Sequence, residues 1–478
     1  MATMLDFVLN GQAMQVPFPE PNQSILNWLR TDLGLMGSKE GCATGDCGAC
    51  TVVIGDIQKD GQVRYQAVNG CITLANTLQG RHLLTVEGVG SKDKLHPCQQ
   101  VMVDHHGTQC GYCTPGFVMS LFAGHCNGLD AQAMSAALGG NLCRCTGYTT
   151  IRDAATELAA KPCVMPFDPA EVQGALQQVK ADSAANASAS SAFVIPRTIE
   201  QAVTAINRYP DYKLVAGGTD LLVEMNVFHR RYPGFIWLGG IEGMQQIEEN
   251  AGVVRFGAGV TFNQLMQWSA SQSAPLHALL DRVAANQVRN QGTLGGNIVN
   301  ASPVGDMPPV LLALDARIEL TSAEGVRQMP LSDFFLGYRQ TALQQGELLT
   351  AVIVPRAALA RPLFIHKISK RWEDDIASTL LVLSATVADA GRLTDIHIGL
   401  GGMAATPCRA THTEQWLQQA DVLAISSDEL LAALGRDVQP MSDARASAQY
   451  RAGVTATLLK RGLKQLFSEV QKGGLSHA

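Results

Sequence analysis

Apolar and polar positions change their spacing along this chain, and each change marks a different kind of element. From Met1 to about Val86, short apolar runs such as Leu5-Asp6-Phe7-Val8-Leu9 and Thr51-Val52-Val53-Ile54 alternate with Gly-rich turns, the pattern of strands in a small sheet domain. From about His96 to Ala160 the spacing turns helical. Thr114-Pro115 predicts a helix start with Thr as N-cap and Pro in the first turn, and Ile151, Ala154, Ala155 and Leu158 recur at helical spacing. Pro169 to Lys180 reads as a short helix or an extended tether. Between Ala181 and Ala192 the composition collapses to Ala, Ser and Asn with Asp182 the only charge, which predicts a flexible linker. A mixed α/β pattern follows, with a strand at Lys213–Val215 and a helix over Val260–Trp268. Strands at Thr379–Ala388 and Leu393–Leu400 then precede a long helix over Ala444–Glu469. The chain is thus expected to be α+β and multidomain, with parts at 1–86, 87–165, a linker at 166–192, 193–355 and 356–470.

Of 478 residues, 46% are hydrophobic and 16% charged, which supplies buried cores and excludes a mostly disordered chain. A net charge of −6 disfavours nucleic acid as the main partner. No apolar run approaches the ~20 residues of a membrane span, and Met1–Gly11 lacks a signal-peptide pattern. The expected location is cytoplasmic, with no membrane partner. In a reducing compartment twelve cysteines read as ligands before they read as disulfides. Eight fall in tight motifs; Cys98, Cys126, Cys163 and Cys408 are left over.

The first motif is Gly41-Cys42-Ala43-Thr44-Gly45-Asp46-Cys47-Gly48-Ala49-Cys50, followed by Cys71. This is the C-x4-C-x2-C…C spacing of a plant-type 2Fe-2S ferredoxin. Three thiolates must converge from one loop, so the backbone must curl, and Gly41, Gly45 and Gly48 permit the positive φ values and close approach that a curl needs. A zinc knuckle would favour paired C-x2-C motifs instead. The second set is Cys110-Gly111-Tyr112-Cys113 with Cys143-Arg144-Cys145. Taken alone, this set suits zinc and iron–sulfur equally; its position beside a ferredoxin loop favours a second cluster.

Two further segments carry glycine pairs. Leu214-Val215-Ala216-Gly217-Gly218-Thr219-Asp220-Leu221-Leu222 reads as a strand, a Gly-Gly turn and an apolar continuation, in which backbone N–H groups can reach a pyrophosphate. Thr293-Leu294-Gly295-Gly296-Asn297 follows about eighty residues on. Neither is the G-x-G-x-x-G of a Rossmann fold.

In combination, Cys42 to Cys50, Val68-Asn69-Gly70-Cys71, Gln109-Cys110-Gly111-Tyr112-Cys113-Thr114-Pro115-Gly116 and Cys143-Arg144-Cys145-Thr146-Gly147-Tyr148 resemble the iron–sulfur half of the xanthine dehydrogenase branch of the molybdenum hydroxylase family. The resemblance implies a β-grasp ferredoxin domain, a four-helix 2Fe-2S domain, an FAD domain similar to vanillyl-alcohol oxidase-type flavoproteins, and a C-terminal flavoprotein domain. It places Leu214 to Leu221 and Thr293 to Asn297 (Thr293, Leu294, Gly295, Gly296, Asn297) around FAD, with Asp306, Leu349 and Lys367 as further contacts. Asp374, in Lys367–Ala377, matches a loop near the flavin and the NAD entry, and Gln109 matches a pterin contact. Val283 stands where animal members carry a Phe on the flavin face. Two clusters and FAD would then form a wire delivering hydride to NAD. The implied partner is a molybdopterin-binding large subunit, in a heterotetramer of two small and two large chains. Alternatives are the same subunit of an aldehyde or N-heterocycle hydroxylase, or a non-enzymatic redox sensor, which the absence of a basic patch disfavours.

Overall fold

The computed structural model describes residues 4–58, 60–185, 192–388, 392–422 and 424–474. They form two compact units that do not follow chain order. The first comprises Met1–Pro196, Arg208–Gly240 and Ala284–Gly292, the second Arg197–Asn207, Ile241–Val283 and Thr293–Ala478.

The first unit opens with five strands, β1 (Met4–Leu9), β2 (Gln12–Pro17), β3 (Thr51–Ile57), β4 (Val63–Asn69) and β5 (His82–Leu84), in the order β2-β1-β5-β3-β4. The β1–β5 pair is parallel and the rest antiparallel. Along β3, Val52 and Ile54 face a core with Leu5, Phe7 and the helix α1 (Ile25–Thr31), whereas Val53 joins a second core on the opposite face. Period-two alternation with both faces apolar explains why this strand reads as a continuous hydrophobic run.

That second core belongs to α2 (Pro97–Asp104), α3 (Thr114–Cys126), α4 (Ala131–Ala137) and α5 (Thr149–Ala159). In α3 every residue from Gly116 to His125 is buried, so it is the central helix of the layer. Its N-cap is Cys113, with no side-chain cap bond. Thr114 is not the cap; its hydroxyl pairs instead with that of Thr108 at 2.7 Å. In α5 the expected face is fully buried. Residues 169–185 form a helix, α6 (Pro169–Ala185), which lays Val172, Leu176 and Val179 on Val8. Residues 186–191 of the expected linker lie outside the described residues.

A small parallel sheet completes this unit, with Phe235–Trp237 between Phe193–Val194 and Lys213–Val215, and the helix Leu221–Phe228 following the Gly-Gly turn. Apart from the two-stranded pair Phe335–Gly337 with Gln340–Thr341, the described residues of the second unit form two antiparallel sheets. One orders Gly325–Pro330, Arg317–Ser322, Leu348–Pro355, Val253–Gly257 and Ile247–Glu249; the other orders Leu363–Ile368, Thr379–Ala388, Arg392–Gly401 and Cys408–Arg409. Two helices there begin later than the apolar pattern predicts, because polar caps fix their starts. Thr261 and Gln264 form a capping box ahead of Phe262–Gln272. The Ser447 hydroxyl accepts from the Tyr450 amide ahead of Ala448–Gly474. No helix among the described residues is long and apolar enough to cross a membrane.

Candidate functional site

The loop between α1 and β3 curls as its glycines predict, with one difference. Gly45 and Gly48 take φ of 84° and 66°, and Ala43 is also left-handed at 58°. Gly41 is not. Its requirement is space, since a Cβ there would lie 2.6 Å from Cys47 Sγ. The curl brings the four sulfurs together: Cys42 contacts the Cys47 and Cys71 thiols, and Cys50 Sγ lies 3.2 Å from Cys71 Sγ. The amides of Thr44 and Cys47 both donate to Cys42 Sγ at 3.4 Å, and the neighbouring Cys47 and Cys71 thiols, with the Thr44 bonds, pull the Cys42 pKa down against burial.

At the helical turns the thiols pair as Cys113 with Cys143 and Cys110 with Cys145. Burial pushes the Cys143 thiol up, but bonds from the Thr146 hydroxyl at 3.2 Å and amide at 3.4 Å outweigh it and hold the pKa low. Tyr148, at φ 73°, turns its hydroxyl back to accept from the Cys143 amide at 3.0 Å. Among the described residues no group of three or more His, Cys, Asp or Glu side chains is arranged to hold a single metal ion. Paired thiols with N–H and O–H donors at the sulfurs suit an anionic two-iron cluster better than one tetrahedral zinc.

The two sets are joined directly. The Leu142 amide, one residue before Cys143, donates to the Cys47 carbonyl at 2.9 Å, and Asn141 Nδ2 donates to the Gly48 carbonyl at 3.1 Å. Buried Gln287 braces this junction by donating to Ser120 Oγ and Asn141 Oδ1.

The residues flanking the Gly217–Gly218 turn pack against two of the ferredoxin thiols. Cys50, Cys71 and Ile72 share one apolar cluster with Val215, Leu222, Met225, Phe235 and Trp237. A Cβ on Gly217 would fall 1.9 Å from the Gln291 carbonyl, and Gly218 has φ 76°, so only glycine passes here. Asn226 Nδ2 donates to the carbonyls of Ala43 and Cys71 at 2.8 and 3.0 Å, and Thr73 Oγ1 donates to Gln291 Oε1 at 2.9 Å. Asn141, Asn226, Gln287 and Gln291 were invisible to motif reading, because their partners stand far away in sequence. Leu214, Ala216, Thr219 and Asp220 line the same turn, and Asp220 is exposed.

In the second unit Thr293 is the N-cap of a short helix, Leu294–Val299, its hydroxyl accepting from the Gly296 amide. Gly295 packs on Ala258, and Asn297 Oδ1 accepts from the Met307 amide. Lys367 Nζ, buried, donates to Asp306 Oδ2 at 2.7 Å and to the Arg282 carbonyl at 3.1 Å. Burial raises the Asp306 pKa against the pull of Lys367. Its Oδ1 is buried with no hydrogen-bond partner among the described residues, an acceptor of the kind a ribityl hydroxyl would satisfy. Leu349 is a core side chain, so only its backbone is available to a ligand. Val283 is likewise buried. Arg282, also missed from sequence, clamps the loop carrying Asp374: it donates to the carbonyls of Lys367 and Trp372 and stacks 4.3 Å over the Trp372 ring.

Residues 7–76 match the 2Fe-2S iron-sulfur cluster binding domain, and 85–156 a [2Fe-2S] binding domain. Residues 187–357 match the FAD binding domain in molybdopterin dehydrogenase, and 364–466 the CO dehydrogenase flavoprotein C-terminal domain. By these domains the chain is similar to the molybdopterin dehydrogenases that the FAD domain model names. Xanthine dehydrogenases of Emericella nidulans and Drosophila subobscura are 29% and 30% identical over 86% of this chain. The chain spans about a third of these relatives, 35% of each. Carbon monoxide dehydrogenase structures from Hydrogenophaga pseudoflava and Oligotropha carboxidovorans superpose with TM-scores of 0.53 and 0.54 at 26% and 27% identity. They cover 58% and 59% of this chain and 97% and 98% of their own. By these matches the chain carries two 2Fe-2S domains, an FAD-binding domain and a flavoprotein C-terminal domain.

Proposed function

We propose that this chain is the electron-transfer subunit of a xanthine dehydrogenase. It passes electrons from a molybdopterin-bearing large chain to NAD during hypoxanthine and xanthine oxidation, in a cytoplasmic complex of two small and two large chains. Cys110, Cys113, Cys143 and Cys145 hold the first cluster and Cys42, Cys47, Cys50 and Cys71 the second. Leu214 to Leu221, Thr293 to Asn297, Asp306, Leu349 and Lys367 are the residues assigned to FAD. Bound, the clusters carry single electrons and the flavin gathers two for release as hydride.

One observation carries this reading. In the first unit the helical cysteines, the ferredoxin cysteines and the Gly217–Gly218 turn form an unbroken series, through the Leu142–Cys47 hydrogen bond and the apolar cluster around Cys50 and Cys71. The entry end is the exposed pair Cys110 and Cys145, surrounded by exposed Gln109, Tyr112, Leu142 and Tyr148. We assign this apolar rim to the large chain, with Gln109 toward the pterin, and Asp374 to the NAD approach. A xanthine dehydrogenase is favoured over a carbon monoxide dehydrogenase because the xanthine dehydrogenase relatives match over 86% of the chain, against 58% for the first carbon monoxide dehydrogenase structure. The test is metal and flavin analysis of the purified complex, with purine-dependent NAD reduction. About four iron atoms and one FAD per small chain are expected from two four-cysteine clusters. Zinc at the helical set, or NAD reduction only with aldehydes, would refute it.

A further inference from the structure

Three cysteines outside both sets come together beside the ends of α2 and α3. Cys98 is fully buried near the start of α2, Cys126 is the last residue of α3 and half-buried, and Cys163 is exposed in the segment after α5. Two histidines hold that segment in place. His96 Nε2–H donates to the Val164 carbonyl at 2.7 Å while its Nδ1 accepts from the Cys98 amide. His125 Nε2–H donates to the Pro162 carbonyl at 3.1 Å. The two carbonyls flank Cys163, so its backbone is fixed from both sides. Met165 Sδ meets Cys126 Sγ at 3.6 Å, and the thiols of Cys126 and Cys163 hydrogen-bond to each other.

We propose that Cys126 and Cys163 are a redox-modification site, one exposed and one shielded thiol that close a reversible disulfide when a peroxide reaches this surface. Their environments divide the roles. The hydrogen bond from Cys126 draws the Cys163 pKa down to about 7, so near neutral pH much of it is thiolate, the nucleophilic form. The same bond, with burial, pushes the Cys126 thiol up. The Cys163 thiolate attacks a peroxide oxygen; the O–O bond breaks, leaving Cys163 sulfenic acid and hydroxide. Cys126 sulfur then attacks the sulfenic sulfur, and the Cys126 proton leaves with the displaced hydroxide as water. Each sulfur gives up one electron, and the peroxide takes both. The closed bond would tie the end of α3 to the segment beyond α5 and enclose the stretch bearing Cys143 and Cys145. Oxidation thereby restricts the part of the chain that holds half of the helical ligand set. Neither thiol serves the electron path proposed above.

The test is stepwise hydrogen peroxide treatment of the full-length holoprotein, alkylation of remaining thiols under denaturing conditions, and peptide mapping. The expected result is loss of two alkylatable thiols and a linked peptide pair containing Cys126 and Cys163, reversed by dithiothreitol with the visible cluster absorption unchanged. In Cys126→Ser the reaction should stop at a Cys163 sulfenic acid, trapped by dimedone, and Cys163→Ser should give neither product. Persistence of both thiols, a link from Cys126 to Cys98, or oxidation of the eight cluster-set cysteines first would overturn the proposal.

Discussion

In the ferredoxin-type set Cys50 and Cys71 are 1% and 3% exposed, whereas in the helical set Cys110 and Cys145 face solvent and only Cys143, at 8%, is buried. The difference follows from how each set is built. Three ferredoxin-type cysteines lie within nine residues, and long-range packing from Asn226, Gln291 and the Gly217 element covers Cys50 and Cys71 while Cys42 and Cys47 stay half-buried. The helical cysteines occupy two separate turns at the helix termini, where backbone and solvent already meet. An enclosed anionic cluster depends on protein donors for its charge; an exposed one is partly solvated by water. The enclosed set is thus suited to an internal relay and the exposed set to exchange with a partner.

The strongest test of that division removes one thiol from each set. Cys143→Ser should abolish purine-driven NAD reduction by the complex while leaving NADH oxidation by artificial acceptors intact. Equal loss of both activities would contradict the order of the two sets. Stability should separate them further. Cys50→Ser puts a hydroxyl among apolar side chains and should cost about 1–3 kcal/mol in denaturant unfolding of the metal-free chain. Cys145→Ser, at an exposed position, should stay within about 0.5 kcal/mol.

Exposure also predicts an order of cluster loss. Incubation with an iron chelator, followed by EPR of the reduced protein, should deplete the helical-set signal first. Simultaneous decay would mean that the surroundings of the two sets do not differ in practice. A smaller effect is expected from Asn226→Ala, which deletes two bonds to carbonyls of the ferredoxin loop. At about 1 kcal/mol per bond it should lower stability by roughly 2 kcal/mol and alter only the ferredoxin-type EPR signal.

These tests also mark what was legible in the chain. The cysteine spacings were, because ligand chemistry ties residue type to short intervals that survive in the sequence as text. The Asn226 and Gln291 contacts were not, since they arise only when segments about 150 to 220 residues apart dock. The α3 start was misread at Thr114 because Cys113, a residue with no capping preference, takes the cap position. The α6 face, Val172, Leu176 and Val179, was readable by periodicity, but it lies just before an Ala/Ser-rich run that suggests a tether. Gly41 shows a third limit: the residue type was right while the reason was sulfur clearance, not a positive φ.

The subtlest contrast concerns hydrogen bonds to sulfur. Cys143 Sγ accepts from both the amide and the hydroxyl of Thr146. Thr146→Val keeps the shape and the amide bond but deletes the hydroxyl donor. A donor at a thiolate stabilises the more negative reduced cluster, so its loss should lower the potential. One bond worth about 1 kcal/mol corresponds to about 40 mV for a one-electron couple. Redox titration followed by EPR should therefore move the helical-set midpoint down by that amount and leave the ferredoxin-type midpoint in place. A shift in the ferredoxin-type signal instead would mean that Cys143 serves the enclosed set, and the assignment of thiols to the two centres would have to be redrawn.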